Sequence, residues 1–249
     1  MYDFLVESPP RSDTVSLAAV TELVKSLRIS CVSETASVSV LLRQVRFLGV
    51  ELGLRDLDDW AKRELNGYEE EDLRLLPPYR VLDMAASANF VSVAWTMNEV
   101  PIPLHMFPTD TRERLEQILF MHQALKPISY FEDLVRSGET FLTMQIPNLQ
   151  HVLTNRVYKG YTCIGVAGTI SRAAFVAMLE SIKNRVQTVT IELGAAFPPS
   201  GAEYVPRPTE SLSRTINTVI YGGQPNLAID SGDFTQAMTA PNTPVTQAQ

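Results

Sequence analysis

The chain has 249 residues, of which 45% are hydrophobic and 20% charged, with a formal net charge of −7. Such a length and composition belong to a globular protein that builds its core without disulfides or metal. The acidic balance, with no basic block, argues against non-specific nucleic-acid binding, and no apolar run nears the roughly 18 residues of a membrane span.

Residues 1–12 read as a loose leader around Ser8-Pro9-Pro10. They place acids where a signal peptide needs positive charge, so a cytoplasmic protein is expected. Asp13 suits the cap of a helix running to about Ile29, with Val15, Ala18, Ala19, Leu23 and Leu27 at helical spacing. A second helix is expected from Val38 to Leu52, through Leu41, Leu42, Val45 and Leu48, with Gly53 at the left-handed stop. A third starts at Asp56 and runs through Leu57, Trp60, Ala61 and Leu65 to Gly67. The short turn between the two predicts an antiparallel helical hairpin.

The acidic run and Pro77-Pro78 in "EEEDLRLLPPYR" mark a surface loop. "NFVSVAW", residues 89–95, alternates like a strand. Pro101 and Pro103 then require an edge strand or an extended connection, because proline cannot donate to a ladder. Residues 108–125 read as a helix capped by Thr109 or Asp110, and residues 129–138 as a shorter one stopped by Gly138. "TFLTMQIP" reads as a strand, "NLQHVLTNRVY" as a short helix and "GYTCIGVAG" as a buried strand. A long helix is expected from Ser171 to Leu193, on a seam of Val176, Leu179, Ile182, Val186, Val189 and Leu193. Together these elements predict an α+β fold over residues 13–197. After it come a linker (198–214), a β-hairpin or β-arch (215–236) formed by "TINTVIY" and a second run around Leu227 and Ile229, and a disordered tail (237–249).

Chemistry is sparse. His105, His122 and His151 lie far apart with no cysteine or histidine at ligand spacing, so no metal site and no cofactor is expected. Cys31 and Cys163 sit among apolar residues and read as buried thiols. The densest polar stretch is "DDWAKRELNGY", residues 58–68. Most of it is helix-end chemistry: Trp60 faces inward, Lys62 and Arg63 complement the helix dipole, and Asn66-Gly67 makes the stop. Glu64 is the exception, an acid near a negative helix end. It calls for a partner, with Arg43 or Arg46 on the preceding helix as candidates for a buried ion pair. Arg43, Arg46, Glu64, Tyr68, Tyr79 and Arg80 form the candidate polar cluster; no catalytic residue is assigned.

The stretch "LLRQVRFLGVELGLRDLDDWAKRELNGY", followed by "PYR" at Pro78-Tyr79-Arg80, resembles the AbiTii domain family of bacterial abortive-infection proteins. The pieces are Leu41-Leu42-Arg43, Gly49 to Gly53, Asp59-Trp60, Glu64 to Tyr68, and further matches at Glu99 to Leu104, Ser171-Arg172 and Asn184-Arg185. Asp59 departs from the glutamate common in the family. The resemblance implies a part in phage resistance but carries no catalytic residues with it. Two readings follow. One is a non-enzymatic defence component whose α-rich body senses or binds. Its tail, through Ile216, Val219, Ile220, Leu227 and Ile229, would join identical chains into a homo-oligomer or recruit a defence-system partner. The other is a toxin-like enzyme, acting on nucleic acid, with a site near Arg43, Glu64 and Tyr68. Neither reading involves a membrane.

Overall fold

A computed structural model describes residues 17–33, 35–197 and 209–221. The expected leader, the first part of the expected linker, the expected tail, and Leu227 and Ile229 lie outside the described residues. The architecture is α+β, with small antiparallel sheets packed among helices.

Three helices open the fold: α1 (Leu17–Cys31), α2 (Val38–Glu51) and α3 (Arg55–Asn66). The α2–α3 hairpin forms as expected. Gly53 is left-handed at φ 66°, the Leu54 N–H donates to the Gly49 carbonyl at 2.8 Å, and the Gly53 N–H donates to Val50 at 3.2 Å. Those two bonds satisfy carbonyls that the helix end would otherwise leave open. Gly49 also lets the helices touch, because a Cβ there would lie 2.8 Å from the backbone nitrogen of Asp58. The α2 N-terminus is capped from a distance. Glu132 accepts from the Val38 N–H and from the Ser37 and Ser39 hydroxyls, at 3.0 Å and 2.7 Å for the hydroxyls, placing negative charge at the positive helix end.

Two 3-10 turns, Glu70–Leu75 and Pro78–Arg80, lead into β1 (Val81–Asp83), β2 (Ala85–Val91) and β3 (Thr96–Pro101). The expected strand at 89–95 is shifted: β2 begins earlier, and Ser92 to Trp95 form the hairpin turn, with Val93 and Trp95 in solvent. β3 is an edge strand, as Pro101 at its end requires, and Pro103 lies in the connection after it. A third 3-10 turn, Leu104–Met106, precedes α4 (Thr109–Phe120). This helix stops five residues short of its expected end, because β4 (Met121–Gln123) pairs with β1 instead.

The remainder is α5 (Ile128–Ser137), β5 (Phe141–Gln145), α6 (Gln150–Leu153), β6 (Thr162–Ser171), α7 (Arg172–Ala196) and α8 (Thr209–Tyr221). The larger sheet has the order β3-β2-β6-β5, antiparallel throughout. Its inner face carries Ala86, Ala88 and Phe90 from β2 and Val166 and Ile170 from β6, packed toward α4 and α6. A bulge at Ile164 shifts the alternation, so Cys163 and Val166 both point inward. β6 passes into α7 with no loop. Ser171 ends the strand and caps the helix, its hydroxyl accepting from the Ala174 N–H at 3.3 Å. α7 runs through the helical half, with α1, α2, α5 and α8 packed on it. The expected seam is buried from Leu179 to Leu193, while Val176 is 38% exposed and Phe175 and Met178 take its place inside.

The C-terminal expectation is corrected. Thr209 to Arg214 are helical rather than linker, and "TINTVIY" is the second half of α8 rather than a strand. Leu212, Ile216 and Ile220 recur every fourth residue and are 3%, 1% and 0% exposed. Burying that stripe against α7 and α3 outweighs the β preference of the isoleucines and threonines.

Candidate functional site

The apolar stripe of α3 is Leu57, Trp60 and Ala61, and its next position is Glu64. Helical spacing therefore drives a carboxylate into the core, where it is fully buried. Its partner is Arg80, equally buried, at 2.7 Å from Nη2 to Oε2, and neither Arg43 nor Arg46. Arg46 instead pairs with Asp58 near the surface at 2.9 Å, and Arg43 faces solvent. Of the expected cluster, Glu64, Tyr68, Tyr79 and Arg80 come together.

Every polar group in this cluster is used. Both phenols donate to Glu64 Oε1, Tyr68 at 2.8 Å and Tyr79 at 2.9 Å, while the Trp60 indole N–H donates to the Tyr79 oxygen at 2.9 Å. Arg80 Nε and Nη2 donate to Glu64 Oε2 at 3.1 Å and 2.7 Å. Nη2 also reaches the Glu64 carbonyl, and Nη1 donates to the carbonyls of Ala124 and Lys126. The guanidinium lies 4.9 Å from the centroid of the Tyr68 ring and 5.7 Å from that of Phe131. Burial, reinforced by the negative charge of Glu64, holds both tyrosine hydroxyls far above the usual phenol range. They remain donors throughout the physiological range.

The surrounding chain seals this network. Gly67 adopts φ 90° and ψ 177°, a conformation essentially restricted to glycine. A Cβ there would lie 2.6 Å from the Leu125 carbonyl, the same carbonyl that accepts the Tyr68 N–H at 2.8 Å. Residues 124–127 are thus gripped from both sides, by Gly67-Tyr68 and by Arg80. "ELNGY" and "PYR", the two pieces that carried the resemblance, are halves of one buried contact. Gly67→Ala is expected to lower stability by about 1–3 kcal/mol, read as a lower urea midpoint at an unchanged slope.

On the other side, Arg185 of α7 lies over the Tyr79 ring at 4.3 Å and donates to the Ile220 carbonyl of α8 at 2.9 Å. Asp56 of α3 accepts from Ser213 at 2.9 Å and from Asn217 at 2.6 Å. Burial raises the Tyr221 phenol, while the charge of Arg63 opposes the shift. α8 is therefore latched over α3 and α7 beside the buried cluster. Of the residues expected to make intermolecular contacts, Ile216 and Ile220 are core residues and Val219 packs against the core.

No catalytic arrangement emerges from these groups. A cleft of about 240 Å³ on α3 is lined by Asp59, Lys62, Arg63, Asn66, Gly67 and Glu69, without Glu64, Tyr68, Tyr79 or Arg80. Cys31 and Cys163 are buried as expected, and burial pushes both thiols up, away from the nucleophilic thiolate. Among the described residues no group of three or more His, Cys, Asp or Glu side chains is placed to hold a metal ion, and no helix is long and apolar enough to cross a membrane. Neither curated proteins nor solved structures give a match to the chain. The AbiTii family model matches residues 22–212, from α1 into the first turn of α8. That span covers most of the chain, and it includes both halves of the buried contact. The chain belongs to the AbiTii family, and membership implies a role in bacterial abortive infection, the defence against phage.

Proposed function

We propose that the protein is a non-enzymatic defence component that acts by binding, with residues 222–249 as the segment that engages another protein. The observation that supports this reading is the closure of the Glu64–Arg80 cluster. Both carboxylate oxygens and all three guanidinium nitrogens are occupied by protein groups, and Glu64 and Arg80 are fully buried. A general acid, base or nucleophile needs a free valence facing substrate, and this cluster has none to spare. Its chemistry is that of a fold-specifying network. The latched α8 then gives the tail a fixed point of departure at Tyr221.

The test is removal of residues 222–249, leaving α8 in place. The shortened protein should keep the melting temperature of the full chain and lose protection against phage in cells. A shortened chain that protects as well as the full one sinks the reading. A cut before Thr209 is not equivalent, because it would also strip Leu212, Ile216 and Ile220 from the core.

A further inference from the structure

The larger sheet ends in β3 on one side and β5 on the other, and the two edges differ chemically. β3 carries Glu99 at φ 53°, a break in its register with β2, and Pro101. Charge, irregularity and proline are the devices that keep an edge from pairing. β5 reads Phe141-Leu142-Thr143-Met144-Gln145, with no charge, no proline and no bulge.

The register shows which of its backbone groups are free. The Arg172 N–H donates to the Thr140 carbonyl, and the Ile146 N–H donates to Val166, both at 2.8 Å. By the alternation of an antiparallel ladder, the N–H and C=O of Leu142 and Met144 also face β6. Those of Phe141, Thr143 and Gln145 face away. Among the described residues, three donors and three acceptors therefore sit on the open edge, spaced evenly about Thr143.

We infer that β5 is the dimerisation edge of this protein, a second copy's β5 adding antiparallel to it across a twofold axis through Thr143. On that axis Thr143 meets its own counterpart, and Phe141 meets Gln145 of the other copy. All six free groups are paired in this arrangement. A twofold axis brings like side chains together, and a neutral strand is what such an axis tolerates, since facing like charges destabilise a ladder. Phe141 is 58% exposed and would gain cover. Beyond Gln145 the incoming chain would pass Thr140 on the rim of an open groove of about 570 Å³, lined partly by Phe141, Ala173, Val176 and Ala177. The inference concerns the body of the protein and does not rest on the role proposed for the tail.

Sedimentation velocity of the full chain at tens of micromolar tests it. The wild-type chain should run at twice the monomer mass. T143K and T143E should each run as monomers with unchanged far-ultraviolet circular dichroism, because Thr143 is exposed, its backbone bonds are not made to β6, and the substitution gives up only a hydroxyl contact with Thr169 at 3.4 Å. Mixing the two variants should restore the dimer, since the axis sets the ammonium introduced by T143K against the carboxylate introduced by T143E. A monomeric wild type, a dimer that survives T143K, or a mixture that stays monomeric each overturns the proposal. A monomeric wild type would also leave the edge to the chain's own tail or to another protein.

Discussion

Replacing Arg80 with alanine should destabilise the fold by about 3–5 kcal/mol, because it strands a buried carboxylate. Glu64 would keep its two phenol donors but lose its cation, and the carbonyls of Ala124 and Lys126 would lose their donor. Glu64→Gln should be destabilising as well, since it leaves the buried guanidinium without its counter-charge and sets an amide N–H₂, itself a donor, against groups that donate to Glu64. Combining Arg80→Met with Glu64→Met should recover part of the loss, because an apolar pair needs no counter-charge. Full recovery is not expected, as Tyr68 and Tyr79 would be left without their acceptor. Urea unfolding of Arg80→Met, Glu64→Met and the double variant closes a cycle, and the coupling between them is the quantity to read. Phage protection measured on Glu64→Gln separates this account from a catalytic one. Protection should fall only as far as stability falls; lost protection at an unchanged melting temperature would point to chemistry at Glu64.

The second large effect is expected in α8. Ile216→Ala should cost about 2–5 kcal/mol, the range for emptying a well-packed aliphatic site. Ile191→Ala, on the outer face of α7 where the side chain is 48% exposed, should stay within about 0.5 kcal/mol. The comparison asks whether α8 belongs to the folded body. If Ile216→Ala leaves the denaturation midpoint where Ile191→Ala does, the helix is not docked as described.

Much of the helical half is legible in the sequence because its signals are local. Gly53 and the apolar spacing of α2 and α3 lie within a few residues of the structure they produce, and so do Gly138 and the seam of α7. The inward-facing Trp60 is legible for the same reason. The identity of the Glu64 partner is not local. Arg43 and Arg46 lie on the neighbouring helix, but Arg80 reaches Glu64 because the 3-10 turn Pro78–Arg80 brings the chain back over α3. One cue is present: Glu64 continues the buried stripe of Leu57, Trp60 and Ala61, so its partner has to come from a segment that is itself buried. Arg80 sits in just such an apolar setting, "LLPPYRVL". β1 and β4 escape a sequence reading because three residues are too few to display a period. α8 misleads through its window. "TINTVIY" alone alternates, and only with Leu212 included does the spacing of four emerge.

The direct passage of β6 into α7 has a mechanical consequence. The junction is pinned three ways: by the Ser171 cap, by the Arg172 N–H on Thr140, and by the Arg172 side chain on the Val135 carbonyl at 2.9 Å. With no slack there, the sheet and the 25-residue helix turn as one lever, about 37 Å long at 1.5 Å per residue. A tilt of about 5° at the strand end would swing the far end by about 3 Å. Whatever docks on the sheet thereby gains leverage over α8, which is seated on that helix.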